Sequence, residues 1–259
     1  MKRPGAFTIL EVVVVIAVMM LLMSIILPAL CRAREQGKAT VCLSNLRQMF
    51  IAAGLYTGDN DGRYPLAGFM DFGNLNSQTE WDFFRTFENG QLKQCEGGFL
   101  WAGENASGVQ QCPSFKGNSN SPGDPYTGYN YNSSYIGGFI VKISGELMGN
   151  NSSKDVEVRR PAKCAIFGDG EFTLGANKFM RSPAAGKLDE DFGDIYRYAG
   201  TQGYRHLKKT NVAHCDGSVC SVDELYTETL SKQIIEEYNE KFPVKTGFLS
   251  ADNSAYSLQ

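Results

Sequence analysis

The chain has 259 residues, and its apolar residues, at 42%, are numerous enough to build a sizeable core. The formal net charge is -3, so no overall basic field argues for nucleic acid as a partner. With 28 Gly, 12 Tyr and 16 Phe, the composition favours a loop-rich folded domain over a disordered chain.

The most informative segment is the apolar run of residues 7–31, which carries a single charge, Glu11. The residues between Glu11 and Arg32 are uncharged, and as a helix they would span ~30 Å, the thickness of the hydrocarbon core of a bilayer. The run therefore predicts a transmembrane helix. A carboxylate inside such a helix is costly to insert, so Glu11 indicates either a functional group with a partner or a side chain that reaches the lipid headgroups.

The residues before the run argue against an ordinary secretory signal peptide. In a signal peptide the small residues of the cleavage site follow the apolar stretch, whereas here Gly5 and Ala6 precede it. The basic part consists only of Lys2 and Arg3. This leader, residues 1–6, followed by Phe-Thr-Ile-Leu-Glu, resembles the signature of type IV prepilins and type II secretion pseudopilins.

This resemblance implies a processing event and a topology. A prepilin peptidase would cleave between Ala6 and Phe7, and the new amino group of Phe7 would be methylated. Glu11 would then be the fifth mature residue, which in this family meets the terminal amine of a neighbouring subunit. The residue before the cut is usually Gly, and a cut after Gly5 would make Glu11 the sixth residue. Prepilins insert with the leader in the cytoplasm, so residues beyond about 31 are expected outside the inner membrane.

The helical pattern continues beyond the bilayer through residues 32–57. Apolar residues recur there at steps of three and four, which marks one stripe on an otherwise polar helix: Cys42, Leu46, Met49, Phe50 and Ala53. We expect this stripe to pack on the protein's own globular domain, residues 58–259. A polar, glycine-containing turn at 57–62 should end the helix.

Turn signals divide the first part of the globular domain. A capping-box pattern at 77–80 and the stop signal Asn89-Gly90 predict a short helix over 81–88. Residues 96–134 are rich in Gly, Asn, Ser and Pro, which indicates long surface loops.

The second part of the domain contains the clearest strand signals. Strands are predicted at 135–143 and 163–168, and a β-hairpin at 209–222, because Asp216-Gly217 joins two β-rich runs. A final amphipathic helix is predicted from the apolar positions Leu230, Ile234 and Tyr238. The sequence thus predicts an α+β protein, in which a long N-terminal transmembrane helix continues into a pilin-like globular domain with an antiparallel sheet.

The hairpin carries a second resemblance. His206, followed after nine residues by Asp216-Gly217, is similar to the His-x(9)-Asp-Gly motif of the prepilin-type processing-associated domain of pseudopilin-like proteins. Further fragments resemble the same family, at residues 42–48, 56–65, 112–114, 129–131 and 160–169.

We expect a structural and not a catalytic role for this motif. In extended chain His206 and Asp216 would lie ~33 Å apart, and the sequence offers no nucleophile with a base and an orienting residue. Asp216-Gly217 should form a two-residue type I′ turn, which would place Ala213 opposite Cys220. His206 should hydrogen-bond to backbone where the hairpin packs.

The 7 cysteines could act as disulfide partners or as metal ligands. Cys95 and Cys112 flank a loop-rich stretch and are the best candidates for a disulfide in an oxidising compartment. A zinc site is typically built from closely spaced pairs such as Cys-x-x-Cys, and the sequence has none. Residues 59–62 resemble part of a calcium loop but lack its final Glu, so a polar turn explains them better. No metal and no other cofactor is therefore expected.

These patterns predict a pseudopilin-like structural subunit that is not an enzyme. It would be processed by a prepilin peptidase and assembled with other pilin or pseudopilin subunits into a type II secretion pseudopilus or a type IV pilus-like fibre. Its partners would include the lipid bilayer and the inner-membrane secretion platform, with the globular domain periplasmic or at the cell surface. The alternative is a surface module that binds glycan or protein and uses the helix only for display.

Overall fold

The computed structural model describes residues 8–73, 76–101, 107–119, 128–172, 175–189, 194–229 and 232–259. The leader, the expected cleavage site at Ala6 and Phe7, and Leu230 of the final helix lie outside the described residues.

One long helix, α1 (Ile9–Asp59), contains both the apolar run and its amphipathic extension. At 1.5 Å per residue it is ~77 Å long. Its first half is exposed throughout, and by length and composition it is the one helix in the described parts of the chain that could cross a membrane. In its second half Cys42, Leu46, Met49 and Ala53 are completely buried, so the stripe packs on the globular domain as expected.

The globular domain is rich in short strands. In chain order the structure has the strands β1 (Gly68–Asp71), β2 (Ser77–Glu80), β3 (Phe83–Glu88), β4 (Gln91–Gly97), β5 (Asn130–Asn132), β6 (Phe139–Ile143), β7 (Glu146–Gly149), β8 (Ala165–Gly168), β9 (Phe179–Met180), β10 (Gln202–Gly203), β11 (Thr210–His214), β12 (Val219–Val222) and β13 (Thr246–Gly247). Two further helices are α2 (Ser107–Gln110) and α3 (Lys232–Lys241).

The described strands form two large sheets and one small one. The first large sheet has the order β4-β3-β2-β1-β6-β7, the second the order β12-β11-β8-β5-β9, and β10 pairs with β13. The pairings are antiparallel except for β1 with β6 and β5 with β9. This architecture confirms the α+β class with a long N-terminal helix, and the predicted antiparallel sheet is in fact two mixed sheets.

The second sheet lies against the extension of α1, and the main core forms between them. Leu46 and Met49 of the helix share one buried cluster with Ile166, Phe167 and Ala213 of the sheet. The rings of Tyr131 and Phe167 stack within this cluster, with centroids 5.0 Å apart. Burial of these side chains, and not intrinsic helix propensity, therefore fixes the helix extension on the domain.

The predicted helix over 81–88 is wrong, because this segment forms strand β3. Its burial alternates, with Phe83 and Arg85 inside, which is the period of a strand. Glu80, expected to cap the helix, is instead buried in β2 and forms ion pairs of 2.9 Å with Arg85 and 2.7 Å with Lys178.

The expected surface loops at 96–134 are also wrong in part. The described portions of this segment contain α2 and β5, and they bury Leu100, Cys112 and Tyr131. Side chains from this segment therefore contribute to the core that holds α1.

The hairpin at 209–222 forms where it was predicted, but with a different turn. Ala213 lies opposite Val219, one residue away from the expected register. The Gly217 amide donates to the carbonyl of His214 at 2.9 Å, and Gly217 has a φ of 80°. This is a three-residue loop with glycine in the left-handed region, which shifts the register by one residue relative to a two-residue turn.

The final helix also forms, as α3. Its buried side chains are Ile235 and Tyr238, whereas Ile234, expected on the apolar face, is 42% exposed. Tyr238 is thus buried as predicted, whereas the second buried position of the helix is Ile235 and not Ile234.

Candidate metal centre

Four side chains that could hold a metal ion meet beneath α1. Cys42, Cys112, Asp169 and His206 each offer one ligand atom, and these atoms all lie within 4.8 Å of one another. The four residues are buried, with at most 2% of each exposed. They come from four separate segments of the chain, so only the tertiary fold brings them together.

The second sheet and α1 position two of the four groups. Cys42 belongs to the apolar stripe of α1, and Asp169 directly follows strand β8. The backbone amide of Asn211, on strand β11, donates to Asp169 Oδ2 at 2.8 Å. Packing of the helix on adjacent strands of one sheet therefore places the thiol above the carboxylate.

A strained turn presents His206. The backbone groups of His206 and Lys209 exchange two hydrogen bonds of 3.0 Å, and the residues between them, Leu207 and Lys208, have φ values of 52° and 68°. This is the two-residue type I′ arrangement expected at Asp216-Gly217, formed here by residues with large side chains. Positive φ is costly for such residues and persists where the surrounding structure enforces it.

The four groups contact one another directly. The Cys42 thiol donates to Asp169 Oδ1 at 3.1 Å, and His206 Nε2 lies 3.4 Å from Asp169 Oδ2. The same His206 nitrogen lies 3.5 Å from Cys112 Sγ. The other ring nitrogen, Nδ1, is buried without a partner among the described residues.

The positive charge of Arg205 offsets negative charge of the carboxylates in and beside this cluster. Its guanidinium is 3.9 Å from Asp169 and 3.1 Å from Glu171. Burial would raise the pKa of Cys112, but its contact with the Cys42 thiol and the charge of Arg205 lower it. Burial would likewise lower the pKa of His206, yet its contacts with Asp169 and Cys112 raise that pKa to about 9.

The geometry does not form a Cys-His-Asp catalytic triad. In a triad the nucleophile and the carboxylate contact opposite nitrogens of the imidazole, so that the carboxylate orients the ring. Here Cys112 and Asp169 both contact Nε2 of His206. The Cys112 side chain is also completely buried, so a substrate has no access to it. The arrangement is therefore suited to ligation and not to nucleophilic catalysis.

The other predicted site residues lie elsewhere. Asp216 and Gly217 form the turn of the β11–β12 hairpin, and the carbonyl of Gly217 accepts a hydrogen bond from Arg47 on α1. A Cβ atom on Gly217 would come within 2.5 Å of the Phe50 ring. Both ends of the His-x(9)-Asp-Gly motif therefore contact α1, His206 beside Cys42 and Gly217 beside Arg47.

The structure does not join the proposed disulfide pair. Cys95 lies on strand β4, whereas Cys112 belongs to the buried cluster, and no disulfide links the two. The cysteine nearest to Cys112 in this cluster is Cys42, whose Sγ lies within 4.8 Å.

Glu11 has a local partner at the start of α1. Its carboxylate accepts hydrogen bonds from the backbone amide of Thr8 at 2.8 Å and from the Thr8 hydroxyl at 2.9 Å. Thr8 Oγ1 in turn accepts from the Glu11 amide at 3.3 Å. Within one chain, Glu11 therefore completes a capping box.

Ligand spacing did not predict the cluster, because spacing indicates a metal site only where pairs of ligand residues are close in sequence. The resemblance to the pseudopilin-like family was nevertheless a signal for these four residues. Four of the segments that resemble the pseudopilin-like family each contain one of the four groups, namely Cys42 in 42–48, Cys112 in 112–114, Asp169 in 160–169 and His206 at the start of the hairpin motif, whereas 56–65 and 129–131 contain none. No protein-family model, no curated protein and no solved structure matches the chain.

Proposed function

We propose that the protein is a pseudopilin-like structural subunit. It is processed by a prepilin peptidase and assembles with related subunits into a type II secretion pseudopilus or a type IV pilus-like fibre. In this proposal the leader is cytoplasmic, α1 crosses the inner membrane, and the globular domain lies on the periplasmic side. The inner-membrane secretion platform and the lipid bilayer are then its other partners.

The observation that carries this proposal is the division of α1 into two halves. The large apolar side chains between Ile9 and Leu30 are 45% to 85% exposed, whereas the stripe from Cys42 to Ala53 is buried against the second sheet. An apolar surface of this length requires lipid or neighbouring helices as its surroundings. A fibre subunit uses both in turn, first the membrane and then the helices of adjacent subunits.

Glu11 adds support from chemistry. If the chain is cut before Phe7, the new amino terminus lies at the membrane edge, and a carboxylate four residues further on can pair with the amine of a neighbouring subunit. Such a pair must offset the desolvation of both charges, so its contribution is mainly to fix the axial register between subunits.

The mature amino terminus tests this proposal. We expect intact mass spectrometry of the membrane-extracted protein to show loss of residues 1–6 and addition of one methyl group. A cut after Gly5 would leave Ala6 on the mature chain and is distinguished by the mass of that residue. Retention of Lys2 and Arg3 in the membrane-bound protein would contradict processing.

Assembly is tested separately from processing. Crosslinking between processed subunits in isolated membranes supports the fibre. If the processed chain stays monomeric there and its globular domain binds glycans or a protein ligand, the display function replaces assembly.

A further inference from the structure

We propose that Cys42, Cys112, Asp169 and His206 form a structural zinc site that joins α1 to the globular domain. The ligand atoms are the two Sγ atoms, Oδ1 of Asp169 and Nε2 of His206. This site is additional to the proposed role in a fibre, and it can be tested on the isolated chain.

The donor set favours zinc over other common ions. Two thiolates and one imidazole are soft or borderline ligands, whereas calcium and magnesium require oxygen ligands almost exclusively. In a tetrahedral zinc site with bonds of ~2.0 to 2.3 Å, the ligand atoms lie ~3.3 to 3.8 Å apart. The contacts of 3.1 Å between Cys42 Sγ and Asp169 Oδ1 and of 3.5 Å between Cys112 Sγ and His206 Nε2 are close to these separations, whereas the 3.4 Å contact of Nε2 is with the other carboxylate oxygen, Oδ2. Small side-chain movements would therefore suffice to form the site.

The surroundings of the cluster suit a bound cation. Two thiolates and one carboxylate around Zn²⁺ carry one net negative charge, and the buried guanidinium of Arg205 lies 3.9 Å from Asp169. The amide of Asn211 holds Asp169 Oδ2 at 2.8 Å, which leaves Oδ1 for the metal. Hydrogen bonds of this kind orient metal ligands and are a regular part of zinc sites.

A disulfide between Cys42 and Cys112 is the competing arrangement, because their Sγ atoms lie within 4.8 Å. The polar contacts favour the metal. The Cys42 thiol points at the Asp169 carboxylate and Cys112 at the His206 imidazole, and a disulfide would withdraw both sulfurs from these contacts. Asp169 and His206 would then lose partners while remaining buried, which is costly for polar groups.

The position of the site gives zinc a mechanical role. Cys42 is the ligand from α1, and the other three belong to the globular domain. A metal bond to Cys42 therefore joins the helix to the globular domain at the first completely buried residue of the apolar stripe. Since the site is buried, zinc must enter as the protein folds, so that metal affinity adds to folding stability.

Zinc content of the full chain tests the proposal directly. The protein is purified in detergent with a reductant and without chelators, and its metal is measured by mass spectrometry. We expect about one zinc per chain, a lower thermal unfolding midpoint after removal with a strong chelator, and recovery on addition of Zn²⁺. Replacement by Co²⁺ should give the visible absorption bands of tetrahedral, thiolate-bound cobalt.

Variants assign the ligands. Cys112→Ser and His206→Gln should each weaken zinc binding by at least about tenfold. Cys220→Ser is the matched control, because it removes an exposed thiol on β12 and should leave the zinc content unchanged. If a ligand variant does not fold, the cobalt spectrum of the unaltered protein still decides the question.

Two outcomes would overturn the zinc site. One is an unaltered chain that contains no zinc and takes up no Co²⁺, with both thiols free to react after unfolding, which would show a purely polar cluster. The other is a chain lighter by two hydrogens in which Cys42 and Cys112 are recovered in one linked peptide. Neither outcome bears on the cleavage before Phe7, so the zinc site and the fibre proposal fail separately.

Discussion

At the scale of single residues, Glu11 has two candidate roles that substitutions can separate. In the structure its carboxylate caps α1 through Thr8, and in the proposed fibre it pairs with the amine of a neighbouring subunit. Gln can also complete a capping box, because it accepts the same hydrogen bonds. It carries no charge, however, so it cannot form the ion pair.

We therefore expect Glu11→Gln to leave membrane insertion intact but to abolish or sharply reduce crosslinking between subunits. Thr8→Ala is the matched control, since it removes the hydroxyl of the cap and keeps the carboxylate, and it should assemble at nearly the unaltered level. The measurement is the yield of crosslinked subunits in isolated membranes. Equal yields for Glu11→Gln and the unaltered chain would favour the display function.

Gly217 is the second informative single residue, because two constraints act on it. Its φ is 80° and its missing side chain makes room for Phe50 of α1. Gly90, in the turn between β3 and β4, has a φ of 75° but open space around it. The two glycines thus differ in whether a neighbouring side chain occupies the space of a Cβ atom.

We expect Gly90→Ala to lower the free energy of unfolding by roughly 1 kcal/mol, the cost of a left-handed conformation for alanine. Gly217→Ala should lower it by at least ~2 kcal/mol, because overpacking against Phe50 adds to that cost. Denaturant unfolding of both variants measures the difference. Equal losses of unfolding free energy would show that a side chain at position 217 is not overpacked against Phe50 of α1.

At the scale of elements, the turn that presents His206 combines strain with a functional position. Leu207 and Lys208 both adopt positive φ, although Leu207 is 44% exposed and is not held there by burial. Strain of this kind is found at sites where geometry matters more than stability. This is consistent with a turn whose purpose is to hold the imidazole beside the two thiols.

Lys208→Gly should therefore raise the free energy of unfolding by roughly 1 kcal/mol, since glycine adopts this conformation without a steric penalty. Lys163→Gly, in the exposed turn at 161–163 and without a positive φ, is a control for the loss of a lysine and should not stabilise the chain. Thermal unfolding midpoints of both variants provide the measurement. A midpoint lowered by Lys208→Gly would mean that the turn is not strained.

In the segment 77–97, the local signals for a helix and for a β-hairpin conflict. Asn89-Gly90 is a strong signal for a two-residue hairpin, and it joins β3 to β4 with Glu88 opposite Gln91. The same dipeptide also fits a helix stop, and the capping-box pattern before it favours a helix. Burial of Glu80 with Lys178, which is distant in sequence, is the tertiary contact that decides for the strand.

At the scale of the whole molecule, the globular domain depends on the extension of α1, a helix whose first half is long and apolar enough to cross a membrane. Cys42, Leu46, Met49 and Ala53 are completely buried in the main cluster. The extension of α1 is thus part of the core and not a stalk that holds the domain away from the membrane.

A protein that starts at Arg32 should accordingly be soluble and unfold cooperatively. One that starts at Gly58 should aggregate or melt at a much lower temperature, because each lost Leu- or Met-sized side chain costs roughly 2 to 5 kcal/mol. Size-exclusion chromatography and thermal unfolding compare the two. Equal melting temperatures would show that the domain is stable without α1.

Features that are local and periodic could be predicted from the sequence alone. The apolar run around Glu11 predicted a long helix, the stripe at steps of three and four predicted which face of that helix is buried, and Asp216-Gly217 located a hairpin. Each of these patterns involves only residues within a few turns of one helix or within two adjacent strands, so residues close in sequence are enough to predict them.

Contacts between distant segments fix features that no local pattern predicts. The strand at 83–88 accompanies the burial of Glu80 with Lys178, the hairpin turn packs Gly217 against Phe50 of α1, and the four groups Cys42, Cys112, Asp169 and His206 meet when α1 packs on the second sheet. No local period relates these four residues, because each is placed by a different element. Burial of apolar surface determines how the helix packs on the sheet. That packing then brings together polar groups that are far apart in the sequence, so no local pattern predicts their proximity.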